Sequence, residues 1–336
     1  ENPEGHEALA SNNNLDVVRF EGRVLLAFRT APTHFASADA RIHVVSSADE
    51  QTWTLDATFA VGRDLREPRF LALGDRLFLY VTELGKDRAA FEPGKVKYTT
   101  RRADSGWAPA LTTLFDDGRL LWRTATYGGK GWATWYHGGQ EIYRPIQLLA
   151  EDPFQAILDG ISDRPLETGL VRVTLASTTD GVSFAEVAPE MHVGGASETA
   201  FVFTEDGGAY AVMRTELPEA PGGAAGSNVC RGSHDKKSWS CKRDPRKFDS
   251  PFMFEHDGEV YLLARRNLAQ DGLYAEAPVR SWAEYVRVQQ RYSCARKRCS
   301  LWRIVKGEDR VEYVTDLPSR GDTCFPSVLS GPSPDE

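Results

Sequence analysis

Apolar and polar residues alternate with period two along most of the chain, and the alternation comes in paired runs. "DVVRFEGRVLLAFR" (16–29), "PRFLALGDRLFLYVTE" (68–83), "LLWRTATYGGKGWATWY" (120–136), "TAFVFTEDGGAYAVMR" (199–214) and "SPFMFEHDGEVYLLARR" (250–266) follow one plan. Each reads as an apolar strand, a tight turn carrying glycine, and a second apolar strand. A sixth start, "DTCFPSVLSG" (322–331), lacks the second strand. Between the hairpins lie further strands, among them "ARIHVVSSADEQTWTL" (40–55) and "LVRVTLASTTDGVSFAEV" (170–187).

Four strands per unit, repeated about six times, predict an all-β β-propeller of about six blades with the last one incomplete. It is read as a single domain over 1–336, with insertions near 137–169 and 267–290; "DPFQAILDGI" (152–161) in the first of these reads as a short helix. A seven-residue pattern recurs in "SSADEQTW" (46–53), "TTDGVSF" (178–184) and "SHDKKSW" (233–239). Its Asp49, Asp180 and Asp235 are placed to accept backbone N–H bonds, and Trp53, Phe184 and Trp239 to anchor the turn between sheets. Each turn offers one carboxylate and no second ligand, so it punctuates structure rather than holding metal.

Composition narrows the function. With 41% hydrophobic residues the chain can build a full core, yet no run approaches the roughly 20 apolar residues of a spanning helix. A net charge of −8 argues against general binding to nucleic acid or membrane surfaces. The seven histidines show no metal-ligand spacing, and no metal or other cofactor is expected. Of the five cysteines, Cys230 and Cys241 flank the third repeated turn, Cys294 and Cys299 bracket "SCARKRC", and Cys324 is left over. Two local disulfides, Cys230–Cys241 and Cys294–Cys299, are expected, which suits a secreted or periplasmic protein. Five reduced thiols in a cytosolic protein are the alternative. The start without Met reads as a trimmed or mature product.

The repeated turns resemble the Asp boxes of sialidase-like propellers, one residue shorter than the usual form. "LLAFRTAPTHFASADARIHVVSSADEQTW" (25–53) is similar to the first blade of bacterial members of that superfamily. "RDLREPRFLALGDRLFLY", "LLWRTATYGGKGWA", "SETAFVFTEDGGAYAVMR" and "RGDTCFPSV" resemble successive blade starts. The resemblance implies an exo-acting glycoside hydrolase, since sialidases carry an Arg-Ile-Pro, three arginines on the substrate carboxylate, an Asp acid/base and a Tyr–Glu nucleophile pair. At the Arg-Ile-Pro position this chain reads "NLDVV" (14–18), and Phe325 stands where relatives often have Tyr. An acidic or other terminal sugar is therefore the expected substrate, and a carbohydrate or glycoconjugate the expected partner of a monomer. A non-catalytic carbohydrate-binding propeller and a five-bladed glycosidase similar to the arabinan-degrading propellers are the rivals.

First strands line the channel of a propeller, so polar residues at their starts carry the chemistry: Asp16, Arg66, Glu67, Arg123, Glu198, Asp249 and Asp322. The ends of second strands add Arg29 with His34, Glu83, Arg214 and Arg265. The substrate-binding set is Arg29, His34, Arg66, Arg123, Arg214, Arg265 and Asp322, with guanidinium groups suited to bidentate grip of an anionic or polyhydroxylated ligand. A satisfied ion-pair network sealing the channel is the alternative for any one Arg–Glu pair. Glu67, between two arginines, is expected to stay ionised. Glu198, among small residues, is expected to act as the acid. Asp39 falls where the resemblance puts the acid/base Asp. Trp122, Tyr127 and Trp135 are the aromatics expected to stack on sugar.

Overall fold

A computed structural model describes residues 8–88, 90–102, 105–140, 142, 166–220, 222–269, 272–275, 277–319 and 324–329. Strands dominate them. The first sheet runs β1 (Ser11–Phe20), β2 (Arg23–Ala31), β3 (Arg41–Ser47), β4 (Thr54–Phe59). The second runs β5 (Leu65–Leu73), β6 (Arg76–Glu83), β7 (Val96–Arg102), β8 (Gly106–Trp107), with β9 (Thr112–Phe115) also paired to β7. The third is β10 (Leu120–Tyr127), β11 (Lys130–Gly138), β12 (Val171–Thr178), β13 (Phe184–Gly194). The fourth is β14 (Ala196–Phe203), β15 (Ala209–Thr215), β16 (Ser227–Gly232), β17 (Trp239–Asp244). The fifth is β18 (Asp249–His256), β19 (Glu259–Asn267), β20 (Lys297–Val305), β21 (Arg310–Asp316). Apart from β9, the strands of every sheet follow one another in chain order, so each sheet is an antiparallel meander whose first two strands are joined by a tight turn.

Three hairpin turns place both central residues at positive φ: Glu21–Gly22, Gly128–Gly129 and Asp257–Gly258. That is the I′ pattern, whose twist matches the twist of the flanking strands. The sheets bury one apolar layer against the next. Leu25, Ala27, Ile42 and Val44 of the first sheet pack with Phe70, Leu77, Leu79 and Val81 of the second. Val212 and Val229 of the fourth pack with Met253, Leu262, Trp302 and Ile304 of the fifth. The described residues divide into two compact units, one within 1–133, 177–185 and 326–336, the other within 134–176 and 186–325.

The structure corrects two sequence expectations. There are five sheets among the described residues, not about six. Residues 324–329 form no strand; instead Ser327 Oγ donates to Asp16 Oδ1 at 2.6 Å and accepts from the Val17 N–H at 3.3 Å. Ser327, within the stretch that reads as a sixth blade start, thus bonds to the first strand of the first sheet.

The second correction concerns the bridges. Cys230–Cys241 forms as expected, at directly opposed positions of β16 and β17. Its Cα atoms are 4.0 Å apart, closer than the 4.4–6.8 Å usual for a disulfide. Cys294–Cys299 does not form: Cys299 bridges Cys324, and Cys294 is free and exposed. The short stretch between them is divided between a helix end and a strand, so nearness in sequence does not bring the two thiols together.

Between β19 and β20, where an insertion was read near 267–290, the chain forms helix α1 (Trp282–Cys294). Ser281 caps it by accepting from the Glu284 N–H at 3.3 Å, and Glu284 accepts from the Arg280 N–H at 2.6 Å. Its buried face is Trp282, Tyr285, Val286, Gln289 and Tyr292, at helical spacing. The helix read over 152–161 lies outside the described residues, as does Asp322. No helix among the described residues is long and apolar enough to cross a membrane.

Candidate functional site

Four first strands share one irregularity. The pairing register shifts between Asn13 and Leu15, Arg66 and Arg69, Ala196 and Thr199, and Asp249 and Phe252. Asn14, Glu67 and Ser250 sit there at φ 47°, 51° and 50°. A bulge at a strand start bends the strand and re-aims its side chains, a costly backbone that persists where the surroundings enforce it. Here it gathers the candidate carboxylates with donors from the adjacent sheet.

In the first unit, Asn14 Nδ2 donates to Glu67 Oε1, and Arg69 Nη2 lies 2.5 Å from Glu67 Oε2. Arg69 also donates to the Trp122 and Leu15 carbonyls and stacks over the Trp122 ring. Asp16 Oδ2 accepts from the Phe70 N–H at 2.7 Å, joining β1 to β5. Arg29 is fully buried and spends its guanidinium on Asp64 (2.7 Å) and on the Thr33 and Phe35 carbonyls (3.2 and 3.0 Å). Burial pulls that guanidinium below its ordinary value, with Asp64 opposing. Arg66 Nε bonds the other Asp64 oxygen at 2.6 Å, and its Nη2 reaches the His34 carbonyl at 3.3 Å. Arg123 donates to the Pro326 carbonyl at 3.1 Å. Asn13 Nδ2 lies 3.1 Å from His34 Nδ1.

In the second unit, Glu198 pairs with Arg214 at 2.7 Å and accepts from the Ser250 N–H at 2.8 Å. Arg214 also meets Glu216 at 3.1 Å, and Lys247 lies 2.6 Å from Glu216 and 3.7 Å from Asp249. Arg265 is 3.6 Å from Asp249 and lies over the Phe325 ring. Helix α1 adds two donors to the cluster: Gln289 donates to Glu216 at 2.6 Å, and the Tyr292 hydroxyl donates to Asp249. Lys247 sits over the Tyr274 and Tyr292 rings. Burial pushes the Glu216 and Asp249 carboxyls up, but Lys247 with the nearby arginines outweighs it and holds both below their ordinary values. Burial, with Glu216 and Asp249 respectively, pushes the Tyr274 and Tyr292 hydroxyls well up.

Glu67, Arg29, Arg66, Arg123 and His34 therefore belong to the first unit, and Glu198, Arg214 and Arg265 to the second. Glu198 is buried and ion-paired with Arg214. Asp39 is exposed, with its N–H donating to Ser37 Oγ at 3.1 Å. Trp122 and Trp135 are buried, so neither offers a stacking face. Sequence reasoning passed over Asn14, Asp64, Arg69, Glu216, Lys247 and Tyr292. Asp64 and Glu216 stand one or two residues beyond the strand ends already singled out, which was the available signal.

The repeated turns join third to fourth strands. Asp49 accepts from the Gln51 and Thr52 N–H groups at 3.0 and 2.7 Å, Asp180 from Val182 and Ser183 at 2.8 and 2.7 Å, and Asp235 from Lys237 at 3.2 Å. Those backbone donors hold the Asp49 and Asp180 carboxyls well below the usual range; for Asp235 the Ser233 hydroxyl is the larger cause. Phe184 packs edge-on to Tyr80 and Phe115, whereas Trp239 donates to the Lys236 carbonyl within its own turn.

No protein-family model and no curated protein matches the chain. Solved structures do. A mutant of Trypanosoma rangeli sialidase displaying trans-sialidase activity superposes with a TM-score of 0.55 at 13% identity, over 96% of this chain and 51% of that one. The same sialidase in complex with sialic acid gives 0.54 at 12% identity, again over 96% and 51%. A family 117 glycoside hydrolase from Zobellia galactanivorans gives 0.47 at 13% identity, over 81% of this chain and 83% of that one. The chain spans about half the length of the sialidases it matches. At such identity the likeness to the sialidase structures shows the fold alone: an all-β, sialidase-like β-propeller whose blades are the five sheets.

Proposed function

We propose that the chain is an exo-acting glycoside hydrolase that takes an acidic or other terminal sugar, with Glu198 as the reacting carboxylate. The observation that carries this is the start of β14. There Glu198 keeps 8% exposure and pairs with Arg214, while Arg265 faces Asp249 and the hydroxyl of Ser250, whose N–H donates to Glu198; the two arginine side chains keep 14% and 11%. Two such groups in one unit suit an anionic or hydroxyl-rich ring. An ion-paired carboxylate serves as nucleophile, base or charge stabiliser better than as proton donor. Glu198 is accordingly given the anionic role, and the fold's sialidase likeness supports glycoside chemistry by analogy. The two disulfides fit an oxidising compartment, so we assign the protein outside the cytosol.

The test is release of free sugar from a panel of aryl sialosides, uronides and arabinofuranosides. Turnover of one class is expected, and Glu198→Gln should abolish it while leaving binding within a few-fold, because the amide keeps the shape without the charge. Unchanged hydrolysis by the Gln variant would remove Glu198 from the chemistry. A second reading, carbohydrate binding without turnover, is favoured by the prior engagement of both Glu198 oxygens. Binding by the parent protein with no turnover across the panel would select it.

A further inference from the structure

We propose that Phe35, in the loop between β2 and β3, is a stacking platform for a pyranose ring; this rests on the carbohydrate reading above. The ring is 49% exposed, yet the loop beneath it is anchored by buried chemistry. Three successive carbonyls, those of Thr33, His34 and Phe35, accept from Arg29 and Arg66 at 3.2, 3.3 and 3.0 Å. Arg29 is wholly buried and held by Asp64, so the anchor is as firm as the strands it comes from. The His34 ring stands edge-on to Phe35, with centroids 6.3 Å apart at 77°. The Arg88 guanidinium, from the loop between β6 and β7, lies 5.7 Å from the Phe35 ring centroid.

An apolar side chain at a loop tip is ordinarily mobile and unremarked. This one is pre-positioned, which is what a binding platform requires, because the ordering cost is met before the ligand arrives. The surroundings also select the ligand. A pyranose presents an apolar C–H face for the ring and a rim of hydroxyl or carboxylate oxygens for Arg66, Arg88 and His34. A protein partner would want a contiguous apolar patch, whereas here charged and polar groups border one ring. The platform also fills the role expected of Trp122 and Trp135, both buried.

Calorimetric titration of the parent, Phe35→Ala, Phe35→Leu and Phe35→Trp with N-acetylneuraminic acid, galacturonic acid and arabinose tests this. The parent should bind at least one. The Ala and Leu variants should bind it about tenfold more weakly and the Trp variant at least as tightly, all with unchanged thermal midpoints. Leu keeps apolar bulk without a ring, so it separates stacking from simple burial. If the parent binds and the Ala and Leu variants match it, the platform is overturned while the carbohydrate reading stands. If the parent binds none of the three, this proposal falls, and the sugar-release panel decides the broader reading separately.

Discussion

Replacing Lys247 by Met probes the buried charges of the second unit. Lys247 Nζ lies 2.6 Å from Glu216 and 3.7 Å from Asp249, all three side chains being at most 5% exposed. Methionine keeps much of the volume but leaves two buried carboxylates with Arg214 and Arg265 as their remaining cations. Removing one partner of a buried pair costs about 3–5 kcal/mol. Loss of the ammonium from the Tyr274 and Tyr292 rings adds on the order of 1 kcal/mol, and the surviving arginines return part of it. A net loss of about 3–5 kcal/mol is expected, read from urea midpoints by tryptophan fluorescence at pH 7. Glu216→Gln in the same background should recover roughly 2 kcal/mol, since the orphaned charge is then gone. The sign with pH is fixed as well. Glu216 and Asp249 have folded values below their ordinary ones, so their stabilisation is complete above the unfolded carboxylate range near about pH 4. It drains as pH falls through the folded values, and the variant's deficit should shrink with it. A deficit under about 1 kcal/mol, or strict additivity with Glu216→Gln, would refute the reasoning.

Gly181 should not tolerate Ala: it has φ 79°, and an added Cβ would lie 2.3 Å from the Phe78 ring. Its carbonyl meanwhile accepts from the Tyr80 hydroxyl at 2.7 Å. A loss of about 2–3 kcal/mol is expected, and a thermal midpoint within a degree of the parent's would contradict the packing. Cys299→Ser opens a loop whose ends are 25 residues apart, worth about 3–4 kcal/mol on the chain-entropy estimate. Cys294→Ser should change neither the midpoint nor the non-reduced peptide map; a lost bridge in that map would restore the pairing read from the sequence.

The blades were legible because half-buried strands must alternate, and glycine with Asp or Glu marks the sharp turns between them. Alternation alone could not tell a strand start from a stretch that forms no strand, so Cys324–Leu329 was miscounted as a blade. Helix α1 was legible too, in Ser281 with Glu284 and in the spacing of Trp282, Tyr285, Val286, Gln289 and Tyr292. Reading the stretch only as an insertion between strands concealed it. Cys230 and Cys241 could be paired because a hairpin sets them opposite each other; Cys324 needs tertiary folding to reach Cys299. Glu67, Glu198, Arg214 and Arg265 stood out as polar residues at strand ends. Their partners did not, because bulges at Asn14, Glu67 and Ser250 break the period-two count that predicts which residues face one another.

The most direct measurement is a crystal structure of the Glu198→Gln protein soaked with the sugar that the parent binds or releases. Density for the sugar within about 3.5 Å of the residue 198 amide and the Arg214 guanidinium is the predicted result. Sugar bound only on the outer-strand turns around Asp49, Asp180 or Asp235, with the start of β14 empty, would contradict it.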